Sequence, residues 1–425
     1  MADKSEYQAI LNKVDAERIL ALEQALIRIP SPHFQEHRIA DYLAGHMREL
    51  GLDVEMMEVE HPYDAETAKT RQPIGRLRGL GGGPSLMLNA HMDPGVEMSG
   101  WSVDPHGAKF ENGWIWGMGA HDDKGGIVAA VCAVEAIIES GVRLRGDVLV
   151  CPVVAHKLGG AGTRALLGHG VRADYCINLE HSANTIANVA VGMIRGKIKT
   201  RSPDLFFRYG PEAKAAYINP IEQQCEIIRR MGTSLDPVAP GRWLSFEPHP
   251  DLPGFPKIMF DAIFKEHYYY PSVTALTTRE CEMFFQIRTV PGMTLDSVRG
   301  DLMQLLEACK TDHPAFDYEL TLPVFENDGW LQDPVEVPRE HPLVRALAEG
   351  HRLASGREPE LGGALRIGNV GDGNILDAAG IPSIQYGPGD IRIYDEWPTA
   401  DERVQLAELV TATKAIAVAT VLLCA

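Results

Sequence analysis

The sequence predicts an α/β protein carrying an inserted α+β unit, and three observations predict it. Between Leu52 and Leu179, short apolar runs of strand character alternate with helical stretches, which is how strands layered against helices are written. From about Ile186 the pattern changes to alternating, antiparallel-type runs and two long helices, and beyond about residue 325 helical spacing and glycine turns return. At 425 residues the chain is also too long for one ordinary domain. The reading is therefore a first domain part at 1–187, an insertion at 188–324 and a second domain part at 325–425.

The elements follow in order. Residues 14–28 place Val14, Ile19, Leu22 and Leu26 at helical spacing, and Pro30 and Pro32 forbid continuation. A second helix at 36–50 meets Gly51, a residue suited to a left-handed cap, before a strand at 52–59. A strand at 85–89, a helix at 124–140, a strand at 146–154, a helix at 162–167 and a strand at 175–179 come next. In the insertion, 188–200 alternates like antiparallel strands, Pro220–Met231 is a helix, 280–290 a strand, 295–309 a helix and 318–322 a strand. The chain returns with a helix at 342–354 and the turns GDGN and YGPGD. The C-terminal AELVTATKAIAVATVLLCA is apolar, but Lys414 and several threonines interrupt it, so it reads as a final helix packed on a sheet.

Composition narrows the partners. A chain with 45% hydrophobic and 23% charged residues is an ordinary globular protein, and a net charge of -18 argues against nucleic acid or anionic membrane, which need a basic face. Seven cysteines, an odd number without a CxxC pair, fit a reducing compartment. The first twenty residues are charged throughout and lack the apolar core of a secretory leader, so the expectation is a cytoplasmic protein.

One stretch, 85–126, organises the chemistry. Its apolar run ends in Ala90-His91-Met92-Asp93, as a buried strand does when it delivers polar groups at its C-terminal end. About thirty residues on, Gly117-Met118-Gly119-Ala120-His121-Asp122-Asp123-Lys124-Gly125-Gly126 turns into an apolar helix and can hold a carboxylate beside His91. An imidazole and carboxylates gathered at strand ends begin a divalent-metal site.

These two segments resemble the HxD and GRGxxDxKG signatures of the metallopeptidase family that includes glutamate carboxypeptidase, acetylornithine deacetylase, succinyl-diaminopimelate desuccinylase and aminoacylase. The likeness runs from IRIPSPHFQEHRIADYL to GIPSIQYGPGD. It implies a mixed-sheet metallohydrolase catalytic domain, with the insertion acting as a lid and dimerisation domain that makes a homo-oligomer. It further implies that His91, Asp122 and Glu180 hold one metal, with Asp93 behind His91 keeping the imidazole in its ligating tautomer. His181 competes with Glu180 as third ligand. Arg288, in MFFQIRTVPG, matches the lid arginine that holds a substrate carboxylate through two parallel hydrogen bonds.

Several positions depart from the family pattern. Family members carry a Glu-Glu pair before a GGxGT turn, the first acting as general base and the second as ligand to a second metal. Here the turn is Gly159 to Thr163 and the pair is His156-Lys157, whose ammonium opposes a cation. The histidine expected after the late GPG turn is also missing, since the last in the chain is His351, which leaves Asp395 or Glu396 as substitutes. These losses imply a single-metal site, with oxygen-rich ligation favouring Mn2+ and Zn2+ possible. His156 is then the candidate base or acid, kept neutral because a metal and Lys157 lower its pKa, and Lys157 can carry a proton toward a leaving amine or steady an anion.

The histidine that family lids direct at the scissile carbonyl has no counterpart, so a substrate with its own electron sink is expected. The chain is similar to an amine-hydrolysing branch of the family, in which water replaces the ring amine of a nitro-substituted aminobenzoate: 5-nitroanthranilate gives 5-nitrosalicylate and ammonia. Phe206, Phe207, Tyr268, Tyr269 and Tyr270 are candidate walls for the ring. Two alternatives stand beside this expectation. One is an amidohydrolase or dipeptidase acting on a small carboxylate-bearing N-acyl substrate, and the other is a non-catalytic pseudoenzyme.

Overall fold

The structure is a computed structural model and describes residues 4–61, 69–202, 217–265, 278–324, 329–363, 370–394 and 399–425. The chain divides into two compact units, Met1–Ala190 with Val335–Ala425, and Val191–Pro334.

The first unit opens with α1 (Lys4–Leu11), α2 (Ala16–Ile27) and α3 (His37–Glu49), then β1 (Asp53–Glu60) and β2 (Lys69–Leu77). Asp15 caps α2, accepting from the backbone N–H of Glu17 and Arg18 at 2.8 and 3.4 Å. There follow β3 (Leu86–His91), the hairpin β4 (Lys109–Glu111) and β5 (Trp114–Trp116), α4 (Lys124–Ser140), β6 (Val148–Val153), α5 (Ala161–Gly168), β7 (Tyr175–Asn178) and β8 (Ile186–Ala190). Strands β3, β6 and β7 run parallel at the sheet centre. Every residue of β3 and β6 is buried, so both read as continuous apolar runs rather than as alternations.

The second unit is a four-stranded antiparallel sheet, β10 (Lys257–Lys265), β11 (Glu280–Thr289), β9 (Gly192–Arg201) and β12 (Asp317–Thr321) in spatial order. Its helices α6 (Pro220–Met231) and α7 (Leu295–Asp312) pack on it and on each other. Strand β11 alternates strictly between buried and half-buried positions, as expected when one face of a sheet is covered.

The chain then rejoins the first unit through β13 (Val335–Glu336), α8 (Pro342–Ser355), β14 (Leu361–Gly363), α9 (Asp372–Ala378), β15 (Ser383–Gln385), β16 (Arg403–Gln405) and α10 (Leu406–Cys424). The large mixed sheet has the order β1-β2-β6-β3-β7-β15-β8-β13 with β14 beside β8, and β16-β5-β4 form a small separate sheet. The 19-residue α10 is apolar enough for a membrane span by composition, yet it is largely buried against α8 and α4. It was expected to pack on the sheet; α4 already covers β3 and β6, so α10 meets helices foremost. The 188–200 run, read as one alternating stretch, breaks at Val191, where β8 closes the first unit's sheet and β9 opens the second unit. Strands β2, β10 and the short β4, β5 and β13 to β16 escaped the sequence reading.

Candidate metal centre

The C-terminal ends of the parallel strands carry the polar groups, where open α/β sheets place their sites. Strand β3 ends on His91, whose Nδ1 lies 2.8 Å from the Asp93 carbonyl oxygen. A carbonyl only accepts, so Nδ1 carries the proton and Nε2 presents its lone pair. That Nε2 lies 2.9 Å from Asp122 Oδ1 and 3.6 Å from Glu180 Oε1.

Asp122 is set by the glycine-rich turn. Gly119 sits at φ +82°, and Gly126 brings α4 so close to β7's end that a Cβ there would lie 2.2 Å from the Leu179 oxygen. The Asp122–Asp123 peptide is cis. Asp123 accepts from the His91 backbone N–H at 3.2 Å, which ties the turn to β3. Lys157 Nζ donates to both Asp122 oxygens, at 3.0 and 2.8 Å. Burial opposes charge on both partners, but Lys157 holds Asp122 well below the usual carboxylate range and Asp122 raises Lys157 above the usual range for an ammonium.

The loop bearing His156 and Lys157 turns its consecutive N–H groups inward, and each finds a buried acceptor. Gln72 takes Val154 N at 3.0 Å, Glu36 takes Ala155 N at 3.1 Å, and Asp93 takes His156 N and Lys157 N at 3.0 and 3.1 Å. Ala155 adopts a left-handed φ of 53° within this cradle. Asp93 therefore works differently from the sequence expectation. Its carbonyl, not its carboxylate, orients His91; the carboxylate stands 3.7 Å from His91 Nδ1 and faces the 156–157 turn and His33 Nδ1, 2.9 Å away.

His156 has a partner that its own segment does not show. Its ring stacks on His91 with centroids 4.3 Å apart, its Nε2 lies 3.5 Å from Glu180 Oε1, and its Nδ1 lies 3.1 Å from Asp372 Oδ2. Burial disfavours its charged form, but Asp372 and then Glu180 overcome this and lift its pKa to about 9. That value counts no cation; Asp372, which the GDGN turn starts into α9 and which only the fold brings alongside, is a partner that the sequence reading did not weigh.

The structure thus brings His91, Asp122, Glu180, His156, Lys157 and Asp93 together. Ligand atoms of His91, His156 and Glu180 lie within 4.8 Å of one another, as do those of Asp122, Glu180 and His181. Among the described residues, His91 Nε2 and Glu180 Oε1 are buried without a hydrogen bond, a cost of about 1–3 kcal/mol each unless another group takes them. Glu180 Oε1 stands 3.6 Å from His91 Nε2 and 3.5 Å from His156 Nε2, close to the edge of about 3.4 Å that four donors at zinc-like bond lengths make around a cation. The donor set fits a divalent metal. Arg288 lies on β11 of the second unit, opposite Lys257 and Met193, with Nη1 buried and without a hydrogen-bond partner among the described residues. Burial lowers its pKa, with Asp261 opposing. Phe206, Phe207, Tyr268, Tyr269, Tyr270, Asp395 and Glu396 lie outside the described residues.

A model of peptidase family M20/M25/M40 matches residues 87–420. N-formyl-4-amino-5-aminomethyl-2-methylpyrimidine deformylase of Bacillus subtilis (strain 168) is 26% identical over 421 residues, spanning 94% of this chain and 93% of that protein. Among solved structures, aminopeptidase PepT from Bacillus cereus ATCC 10987 aligns with a TM-score of 0.74 at 16% identity, covering 96% of this chain and 99% of that one. The Bacillus subtilis YXEP protein, a dinuclear metal binding peptidase, aligns at 0.68 and 14% identity over 99% of both chains.

Proposed function

The chain belongs to peptidase family M20/M25/M40, whose members are metal-dependent hydrolases of C–N bonds, and from that premise we propose that it is a single-cation aminohydrolase of a nitro-substituted aminobenzoate. The observation that carries the single-cation reading is Lys157 Nζ at 2.8 and 3.0 Å from the two Asp122 oxygens. A tethered ammonium already neutralises that carboxylate where family members share it between two metals. His91, Asp122 and Glu180 hold the cation, Mn2+ in preference to Zn2+. When bound, the cation supplies the Lewis acidity that makes water nucleophilic near neutral pH.

The chain's own residues do the rest. His156, with Nδ1 against Asp372, moves a proton at Nε2. Lys157 fixes Asp122 and offers positive charge to an anionic ring, while Asp93 fixes the loop that carries both residues. Arg288, whose Nη1 has no partner among the described residues, takes the ring carboxylate as a bidentate pair. The reaction is 5-nitroanthranilate plus water to 5-nitrosalicylate plus ammonia. The relative that deformylates an aminomethylpyrimidine supports an aromatic ring as substrate. We place the protein in a reducing cytoplasm as a homo-oligomer joined through the inserted unit; its seven free cysteines support the compartment.

The test is ammonia release and the ultraviolet-visible change on adding 5-nitroanthranilate to manganese-loaded protein, beside N-formyl and N-succinyl amine panels. Turnover of the amide panels alone overturns the substrate and leaves a C–N hydrolase. A second reading, favoured by the convergence of His91, His156 and Glu180, makes His156 a ligand. Pulsed EPR on the Mn2+ protein separates the two: loss of one coupled 14N in His156→Ala selects the ligand, and an unchanged count selects the proton carrier.

A further inference from the structure

Strand β16 brings a residue to the glycine-rich turn from nearly three hundred residues away. Glu402 is buried, 5% exposed, and directs its side chain into the turn that ends on Asp122. Its Oε2 accepts from Gly119 N at 2.9 Å, and its Oε1 accepts from His121 N at 2.8 Å and Asp122 N at 3.0 Å. Its carbonyl oxygen accepts from Gly117 N at 2.9 Å. One residue therefore takes four of the N–H groups between Gly117 and Asp122, including that of Asp122 itself. An uncapped turn would point those donors into a water-poor interior, where each needs an acceptor.

The strand that holds Glu402 is itself clamped. Arg403, Val404 and Gln405 pair with Trp116, Ile115 and Trp114 of β5. The Arg403 guanidinium lies 4.5 Å from the Trp116 ring centroid, 5.3 Å from that of Trp114 and 5.4 Å from that of Tyr394. Tyr394 Oη accepts from Arg403 N at 2.8 Å and donates to Arg403 O at 2.9 Å. Both backbone groups of Arg403 are held in this way, so Glu402 meets the turn from the end of an anchored strand.

We infer that Glu402 is a positioning residue for the cation site, fixing Asp122 through the turn's N–H groups without touching cation or substrate. The inference rests on the proposed cation site and is independent of the substrate. Its carboxylate offers both oxygens as acceptors at once; a carboxamide offers one and turns an NH2 against the remaining donors. Groups behind metal ligands typically change metal affinity by about 10–100-fold when removed.

The experiment compares Glu402→Gln and Glu402→Asp with the full-length wild-type chain. Mn2+ affinity is read by EPR titration, and exchange of the Gly119, His121 and Asp122 amides by hydrogen–deuterium exchange. Glu402→Gln is expected to bind Mn2+ about tenfold or more weakly, with an altered Mn2+ EPR line shape and faster exchange at those amides. Glu402→Asp keeps the charge but is one methylene too short to reach both ends of the turn, and it is expected to behave alike. A Gln variant that melts earlier yet keeps the wild-type affinity, line shape and amide protection overturns the inference. Wild-type protein that takes up no Mn2+ overturns the cation site instead, and unchanged amide protection in the Gln variant would then overturn the role of Glu402 separately.

Discussion

Replacing Lys157 by Met keeps the side chain's length and removes its ammonium from Asp122. The pair is well shielded, Lys157 being 26% exposed and Asp122 5%, and both carboxylate oxygens are engaged. Removing one partner of a buried ion pair costs about 3–5 kcal/mol, because the other charge stays behind unpaired. The partial exposure of Lys157 places the expected loss near the lower end, about 3 kcal/mol. The assay is urea unfolding of both proteins after chelation, repeated with saturating Mn2+. Without metal the variant should be less stable by that amount. With Mn2+ the gap should at least halve, because a cation beside Asp122 then supplies the missing positive charge. Equal stability without metal, or a gap that Mn2+ leaves untouched, would refute the view that the ammonium stands in for a second cation.

Other predictions follow from the same site. Asp372→Asn takes the carboxylate from Nδ1 of His156, leaving only Glu180 beside the ring, and should lower kcat about a hundredfold with little change in KM; steady-state kinetics decides, and an unaltered kcat removes Asp372 from the account. Arg288→Lys gives up planar bidentate pairing and should raise KM about tenfold while kcat moves little. Chelation should abolish turnover and Mn2+ restore it. Glu36 is driven to about 7, first by burial and then by Asp93. Between the ordinary carboxylate pKa and that value the folded chain keeps a proton the unfolded chain releases, so stability falls as pH rises through the window. Glu36→Gln carries no such proton and should remove up to about 3 kcal/mol of that decline, read from urea unfolding between pH 4.5 and 7; parallel profiles would contradict it.

What the sequence made legible was local. Helices α4 and α6 were read to the residue, and α8 nearly so, because caps, prolines and apolar spacing are written in consecutive residues. The short strands β13 to β16 carry two or three residues each and owe their existence to partners distant in the chain, so no periodicity announces them. The site divides in the same way. His91, Asp122, Glu180, His156 and Lys157 lie in motifs and were singled out, whereas Asp372, Glu36 and Glu402 act on those motifs from elsewhere. For His156 the sequence reading weighed only a metal and Lys157 and left Asp372 out. A glutamate before a strand-like Arg403–Gln405 run and an aspartate in a glycine turn are the signals available, and neither says what it will face.

The most direct test of the central claim is the number of divalent ions that the wild-type chain binds, measured by titrating chelated protein with Mn2+ in a calorimeter. The account predicts one tight site per chain, with Lys157 serving Asp122 on its other side. Two tight sites per chain would contradict it, because the ammonium would then have to leave Asp122 for a cation to enter.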